Sequence, residues 1–161
     1  MRNILFVILI LGLFSCNRDE EECCKNIEAD LQISIVNNEG VDLLNPLNGE
    51  INIDNFKLYY KNQSGDLILF NNINLDNPKG FELVNPENNG NQRYSINLFL
   101  NTEHLVDNTS FTFISWNDNK NYEIKTVFFE GNNSLIAEKV FINNELVIDS
   151  GENRFTTITA I

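Results

Sequence analysis

From Asp30 onward, no stretch of this chain keeps helical spacing long enough to make a stable helix; what recurs instead is alternation of apolar and polar side chains in short runs. Leu31, Ile33 and Ile35 alternate with Gln32 and Ser34. Phe56, Leu58 and Tyr60 alternate with Lys57, Tyr59 and Lys61. Tyr94, Ile96, Leu98 and Leu100 alternate with Ser95, Asn97 and Asn101, with Phe99 breaking the polar side. Successive side chains point to opposite faces of a pleated strand, so each run is predicted to bury one face and wet the other. With no helix to cover them, such strands must pack sheet against sheet.

The breaks between runs are clusters of Asn, Gly and Asp, residues that satisfy or tolerate turn backbone. Asn37 to Gly40 ends the first strand. Leu43 and Leu44 are expected to plug one end of the fold, with Asp42 and Asn45 satisfying turn backbone and Pro46 stopping the next strand. Asn62 to Asp66 turns the second strand into Leu67 to Phe70. Phe81 to Val84 is a short strand between two polar links, and the run from Tyr94 to Leu100 reads as a central strand. Asn101 to Ser110 predicts one helical turn across an end. Phe111, Phe113 and Trp116 precede a turn into Tyr122 to Phe128, and Gly131 to Ser134 leads to Leu135 to Ile142. Asn143-Asn144 joins that run to Leu146 and Val147 and predicts a tight hairpin, since Asn tolerates positive φ. Phe155, Thr157 and Thr159 read as a final edge strand. About eight to ten such strands predict an all-β chain, an antiparallel β-sandwich of immunoglobulin-like or transthyretin-like kind, as a single domain over residues 30–161.

Residues 1–16 read differently. Arg2 gives a positive start, Ile4 to Phe14 is an apolar run, and Leu13-Phe14-Ser15-Cys16 closes it. The run is too short for a membrane helix, which needs about 20 residues to cross a hydrocarbon core of about 30 Å. A signal cut at a small-x-small site would carry Ala or Gly near its end, whereas a single small residue, Ser15, precedes the cysteine. The stretch resembles a bacterial lipoprotein signal peptide with its lipobox. That resemblance implies cleavage between Ser15 and Cys16, removal of residues 1–15, a diacylglycerol on the Cys16 sulfur and an acyl chain such as palmitate on its new amino group. A secreted form or an uncleaved anchor is the alternative. Two or three acyl chains hold a protein on a membrane where one does not.

Residues 16–29 follow as lipidated cysteine and acidic tether, without apolar periodicity. Asp19, Glu20, Glu21 and Glu22, directly behind the lipobox, resemble the surface-export signal of Bacteroidetes lipoproteins. The implied partners are the membrane and the lipoprotein export machinery, and the implied location is the outer membrane, facing the medium. A soluble spacer is the other reading of the four acids. The segment Gly40-Val41-Asp42-Leu43-Leu44-Asn45-Pro46 is similar to one found in uncharacterised Bacteroidetes surface-exposed β-sandwich lipoproteins. Cys23 and Cys24 have no third cysteine once Cys16 is lipidated, which leaves free thiols, a strained vicinal disulfide or bridges to another chain.

The formal net charge of −12 and the absence of clustered Lys and Arg argue against nucleic acid as a partner. His104 is the single histidine, and no Gly-x-Ser-x-Gly accompanies it. Acids are plentiful, yet no spacing picks out a catalytic pair. Asn117, Asn119 and Asn121 alternate like calcium ligands, but Tyr122 and Phe128 stand where a calcium loop needs Gly and Glu. No catalytic residue, no metal and no cofactor beyond the Cys16 lipid is therefore expected. Tyr59, Phe99 and Trp116 fall where polar neighbours predict exposure, and exposed aromatic rings are how many modules stack on sugars. If a bulge shifts the parity, the same residues face inward instead. The expected function is a monomeric, lipid-anchored surface binding or interaction domain taking a glycan or protein ligand. A fimbria-like structural subunit, pairing Phe155 to Ile161 with a neighbour's edge, comes second, and a hydrolase a distant third. Replacing Cys16 with Ala is expected to release the protein from membranes or leave it unprocessed; radiolabelled palmitate entering the variant and the parent equally would refute the lipobox.

Overall fold

The computed structural model describes residues 25–90, 92–117, 120–150 and 154–160. Ser15, Cys16, Asp19, Glu20, Glu21, Glu22, Cys23 and Cys24 lie outside the described residues. The described chain is mostly strand: β1 Asn26–Glu28, β2 Asp30–Val36, β3 Lys57–Lys61, β4 Leu67–Leu69, β5 Phe81–Val84, β6 Ser95–Phe99, β7 Thr109–Asn117, β8 Lys120–Gly131, β9 Ser134–Ile142, β10 Glu145–Ile148 and β11 Phe155–Thr159. A 3₁₀ turn at Ile53–Asn55 and one short helix, α1 Pro86–Asn89, complete it. The all-β expectation is met.

The strands form two sheets. The larger runs β1-β9-β8-β7-β3-β4 with β10 also on β9, and the smaller runs β11-β2-β6-β5. Both sheets are mixed. β1 lies parallel to β9 and β11 parallel to β2, while the remaining pairs are antiparallel. A tight hairpin forces antiparallel pairing, but β1 and β11 reach their partners across most of the chain, so no hairpin dictates their direction. β1 also starts the fold inside the segment expected to be tether. Asn26 N donates to Asn133 O at 2.8 Å and Lys25 Nζ meets Glu130 Oε1 at 2.9 Å. All three β1 residues are exposed, so backbone bonds hold them without an apolar pattern that the sequence could display.

Turn chemistry behaves as the residue types predict. Asn143 and Asn144 have φ of 49° and 70° and close the β9–β10 hairpin. Leu43 and Leu44 are buried, Asp42 accepts from Leu44 N at 3.0 Å and Tyr94 N at 2.7 Å, and Asn45 accepts from Leu47 N at 3.0 Å. The segment Asn101 to Ser110 is not a helical turn. It is a loop ended by Asp107 and Asn108, both at positive φ, with Val106 bridged to Thr109. Gly80, at φ 76°, ends the link into β5, where a Cβ would lie 2.6 Å from the Phe70 ring and 2.7 Å from Leu58.

Both sheets empty their apolar rows into one core. Leu58, Ile114, Ile124 and Val140 from the larger sheet share it with Leu31, Ile33, Ile96 and Leu98 from the smaller. Ser110 and Thr126 face each other across β7 and β8, fully buried, and neither hydroxyl has a hydrogen-bond partner. A polar bond spans the core: Tyr60 OH, on β3, donates to Phe99 O, on β6, at 3.0 Å. Burial, and then the charge of Glu103, raise the Tyr60 phenol well above its ordinary value of 10.0. Above about pH 10 the folded chain therefore binds more protons than the unfolded one. The stability Tyr60 carries is complete below the unfolded value and is lost as pH climbs towards the folded one. Tyr60→Phe is expected to cost about 1 kcal/mol at neutral pH, and that difference should shrink near pH 11 in urea unfolding of the full chain. An unchanged difference would refute the coupling.

Candidate ligand-binding face

The three aromatic residues singled out by alternation do not converge. Tyr59 is on the outward face of the larger sheet and Phe99 on that of the smaller, each half-buried. Trp116 is neither. The β7–β8 register shifts between Ser115 and Asn117, leaving Trp116 as the extra residue on its strand. Its ring packs inward, 4.8 Å from Tyr122 and 6.1 Å from Phe56, both stacked. It closes the end of the core beside a cleft of about 340 Å³ that it lines with Lys57 and Asn117.

What gathers around Tyr59 is a set of residues the local pattern did not flag. Registered pairs place them in two rows across the strands. One row runs Leu69, Tyr59, Phe113, Glu123. The other runs Leu67 opposite Lys61 on β4 and β3, then Phe111, Lys125, Phe141 and Leu146 on β7, β8, β9 and β10. The second row is joined between β3 and β7 by a cation–π contact, with Lys61 Nζ 5.0 Å from the Phe111 ring centre, and Lys125 Nζ lies 5.4 Å from that of Phe141. Each such contact is worth about 0.5–1 kcal/mol at an exposed site. Both rings, Phe111 and Phe141, are half-buried. The readable signal was in the parity: Phe111, Phe113 and Phe141 occupy the side that Thr112, Ile114, Val140 and Ile142 leave to solvent, so these strands are apolar on both faces.

Behind the second row sits Asn101, wholly buried. Its amide nitrogen donates to Lys61 O at 3.1 Å and Phe111 O at 3.2 Å, and its amide oxygen accepts from Glu103 N and His104 N, both at 3.1 Å. Its backbone N donates to the Thr112 hydroxyl at 2.9 Å. Asn101 thus holds the ends of β3 and β7 together directly under Lys61 and Phe111. The His104 loop it anchors lines a cleft of about 430 Å³ with Tyr60, Leu69, Ile73 and Glu103. Among the described residues, no three His, Cys, Asp or Glu side chains come together as a metal site would require. No protein-family model, no curated protein and no solved structure matches this chain.

Asn101→Ala would leave two carbonyls and two amide N–H groups without their partner, at about 1–3 kcal/mol for each one that water cannot reach. A loss of at least about 3 kcal/mol in urea unfolding is expected. Asn101→Asp keeps the acceptor but removes both donated bonds, and should lose most of the same stability; an Asp variant as stable as the parent would show those two bonds to be idle.

Proposed function

We propose that this chain is a lipid-anchored binding domain of the bacterial surface, a β-sandwich of immunoglobulin-like or transthyretin-like kind, that holds a glycan without acting on it. Cys16 is the lipid attachment point, Ser15–Cys16 the cleavage site, and Asp19 to Glu22 the export signal. The binding surface is the outward face of the larger sheet. What carries this reading is the registered pair Tyr59 and Phe113, two aromatic residues directly opposite each other on the paired strands β3 and β7. Aromatic surface of this kind offers stacking area to the apolar faces of sugar rings. The groups beside it are mainly lysines and rings, with Glu123 next to Phe113, a set suited to holding a ligand. Phe99, on the other sheet, and Trp116, in the core end, are left out of this surface.

A fimbria-like subunit remains the second reading, favoured by one observation. β4 ends the larger sheet, and its Leu67, Ile68 and Leu69 are 45%, 46% and 51% exposed. An apolar edge of that kind is a template for another strand. Two measurements separate the readings. Under the first, the full-length protein in detergent sediments as a monomer at all concentrations, and a glycan array shows retention that Tyr59→Ala weakens roughly ten-fold, equivalent to about 1.4 kcal/mol. Concentration-dependent polymers that Ile68→Lys abolishes, with no glycan retained, would overturn the first reading in favour of the second.

A further inference from the structure

We infer that the ligand of this face is an acidic glycan carrying a carboxylate on every second sugar. The inference rests on the glycan-binding reading above and adds the charge and repeat of the ligand. The chain as a whole is strongly acidic, yet Lys57, Lys61, Lys125 and Lys139 all stand on this one face. Lys139 is paired with Asp149 at 3.6 Å. Among the described residues, Lys57, Lys61 and Lys125 have no carboxylate within ion-pair distance.

Lys61 and Lys125 differ from ordinary surface lysines in being held. Each ammonium rests near a ring, 5.0 Å and 5.4 Å from its centre, so less side-chain freedom remains to be lost when an anion arrives. An ammonium has three N–H donors, and contact with a ring leaves donors for a carboxylate. The two lysines are on β3 and β8, with β7 between them. Two strand spacings set them about 10 Å apart. That is the length of one disaccharide in an extended polysaccharide, so a chain crossing the strands advances one sugar per strand. Its carboxylates meet both lysines in turn when they recur on alternate sugars. Tyr59 and Phe113 lie two residues along the same strands, about 7 Å from the lysine row, where the sugar rings pass.

An acidic peptide fits less well. An extended peptide repeats its side chains on one face about every 7 Å, out of step with the lysines, and it gains its affinity from an open sheet edge. β3, β7 and β8 are each paired on both sides. Glu123, beside Phe113 and two residues from Lys125, adds a sign test, because it repels the same carboxylates that Lys125 attracts.

The test is calorimetric titration of the full-length protein with hyaluronan oligosaccharides, which alternate uronate and N-acetylhexosamine. Neutral chito-oligosaccharides, polygalacturonate with a carboxylate on every sugar, and polyglutamate are the comparisons. Hyaluronan should bind at least ten-fold tighter than each of them and should weaken as salt rises. Lys61→Gln and Lys125→Gln should each weaken it about ten-fold, and Glu123→Gln should tighten it several-fold, with circular dichroism confirming that each variant folds. Equal, salt-insensitive binding of neutral and acidic sugars would overturn the charge inference while leaving the glycan reading intact. Polygalacturonate binding as well as hyaluronan would overturn the alternate-sugar repeat. Polyglutamate matching hyaluronan would replace the glycan with an acidic peptide, and no binding of any sugar would remove both readings.

Discussion

Two hydrogen-bonded side chains, Tyr60 and Asn101, tie the layers of this protein together through a mainly apolar interior. Apolar packing is strong but non-directional; it presses two sheets together without fixing how far one slides on the other. Tyr60 and Asn101 supply direction. The phenol of Tyr60 reaches from the larger sheet to a carbonyl of the smaller, and Asn101, just past the end of β6, returns the connection to Lys61 and Phe111. Every polar atom of the Asn101 side chain has a partner, which is the condition under which a buried amide organises a core rather than weakening it. The outward face inherits that order, because the same two carbonyls belong to residues whose side chains begin the lysine–ring row.

Much of the fold was legible in the chain. Alternation located the strands from Asp30 onward, and Asn143-Asn144 marked a hairpin, because both signals depend on neighbours in sequence. Asp42 to Pro46 could be assigned side chain by side chain for the same reason. What escaped depends on distant partners. β1 has no apolar pattern and exists because Asn26 finds Asn133; the parallel direction of β11 is set by β2, not by any turn. Trp116 was misplaced because Phe111 and Phe113 look like the inward row of β7, whereas the buried row is Ser110, Thr112 and Ile114, whose parity Trp116 shares.

The lysine–ring face was only partly visible for a related reason. Tyr59 was found since it interrupts a polar row on its own strand. Phe111, Lys125 and Phe141 lie on three strands and become one row only through register, which no single strand encodes. Charge shows the same limit: a net of −12 describes the whole chain correctly and says nothing of where its cations collect.

The two parallel pairings also set an order of events during folding. β1 pairs with residues 134–136 and β2 takes β11, from residues 155–159, as its outer neighbour. Contacts so far apart in the chain close large loops, and chains dominated by them fold slowly, in milliseconds to seconds for small β proteins. A chain emerging from its N-terminus makes β2 early and then waits, with one side of that strand unpaired, until residues 155–159 have appeared. Loss of the final strand would therefore leave the oldest part of the smaller sheet permanently open, a hazard for self-association that no deletion in a surface loop would match.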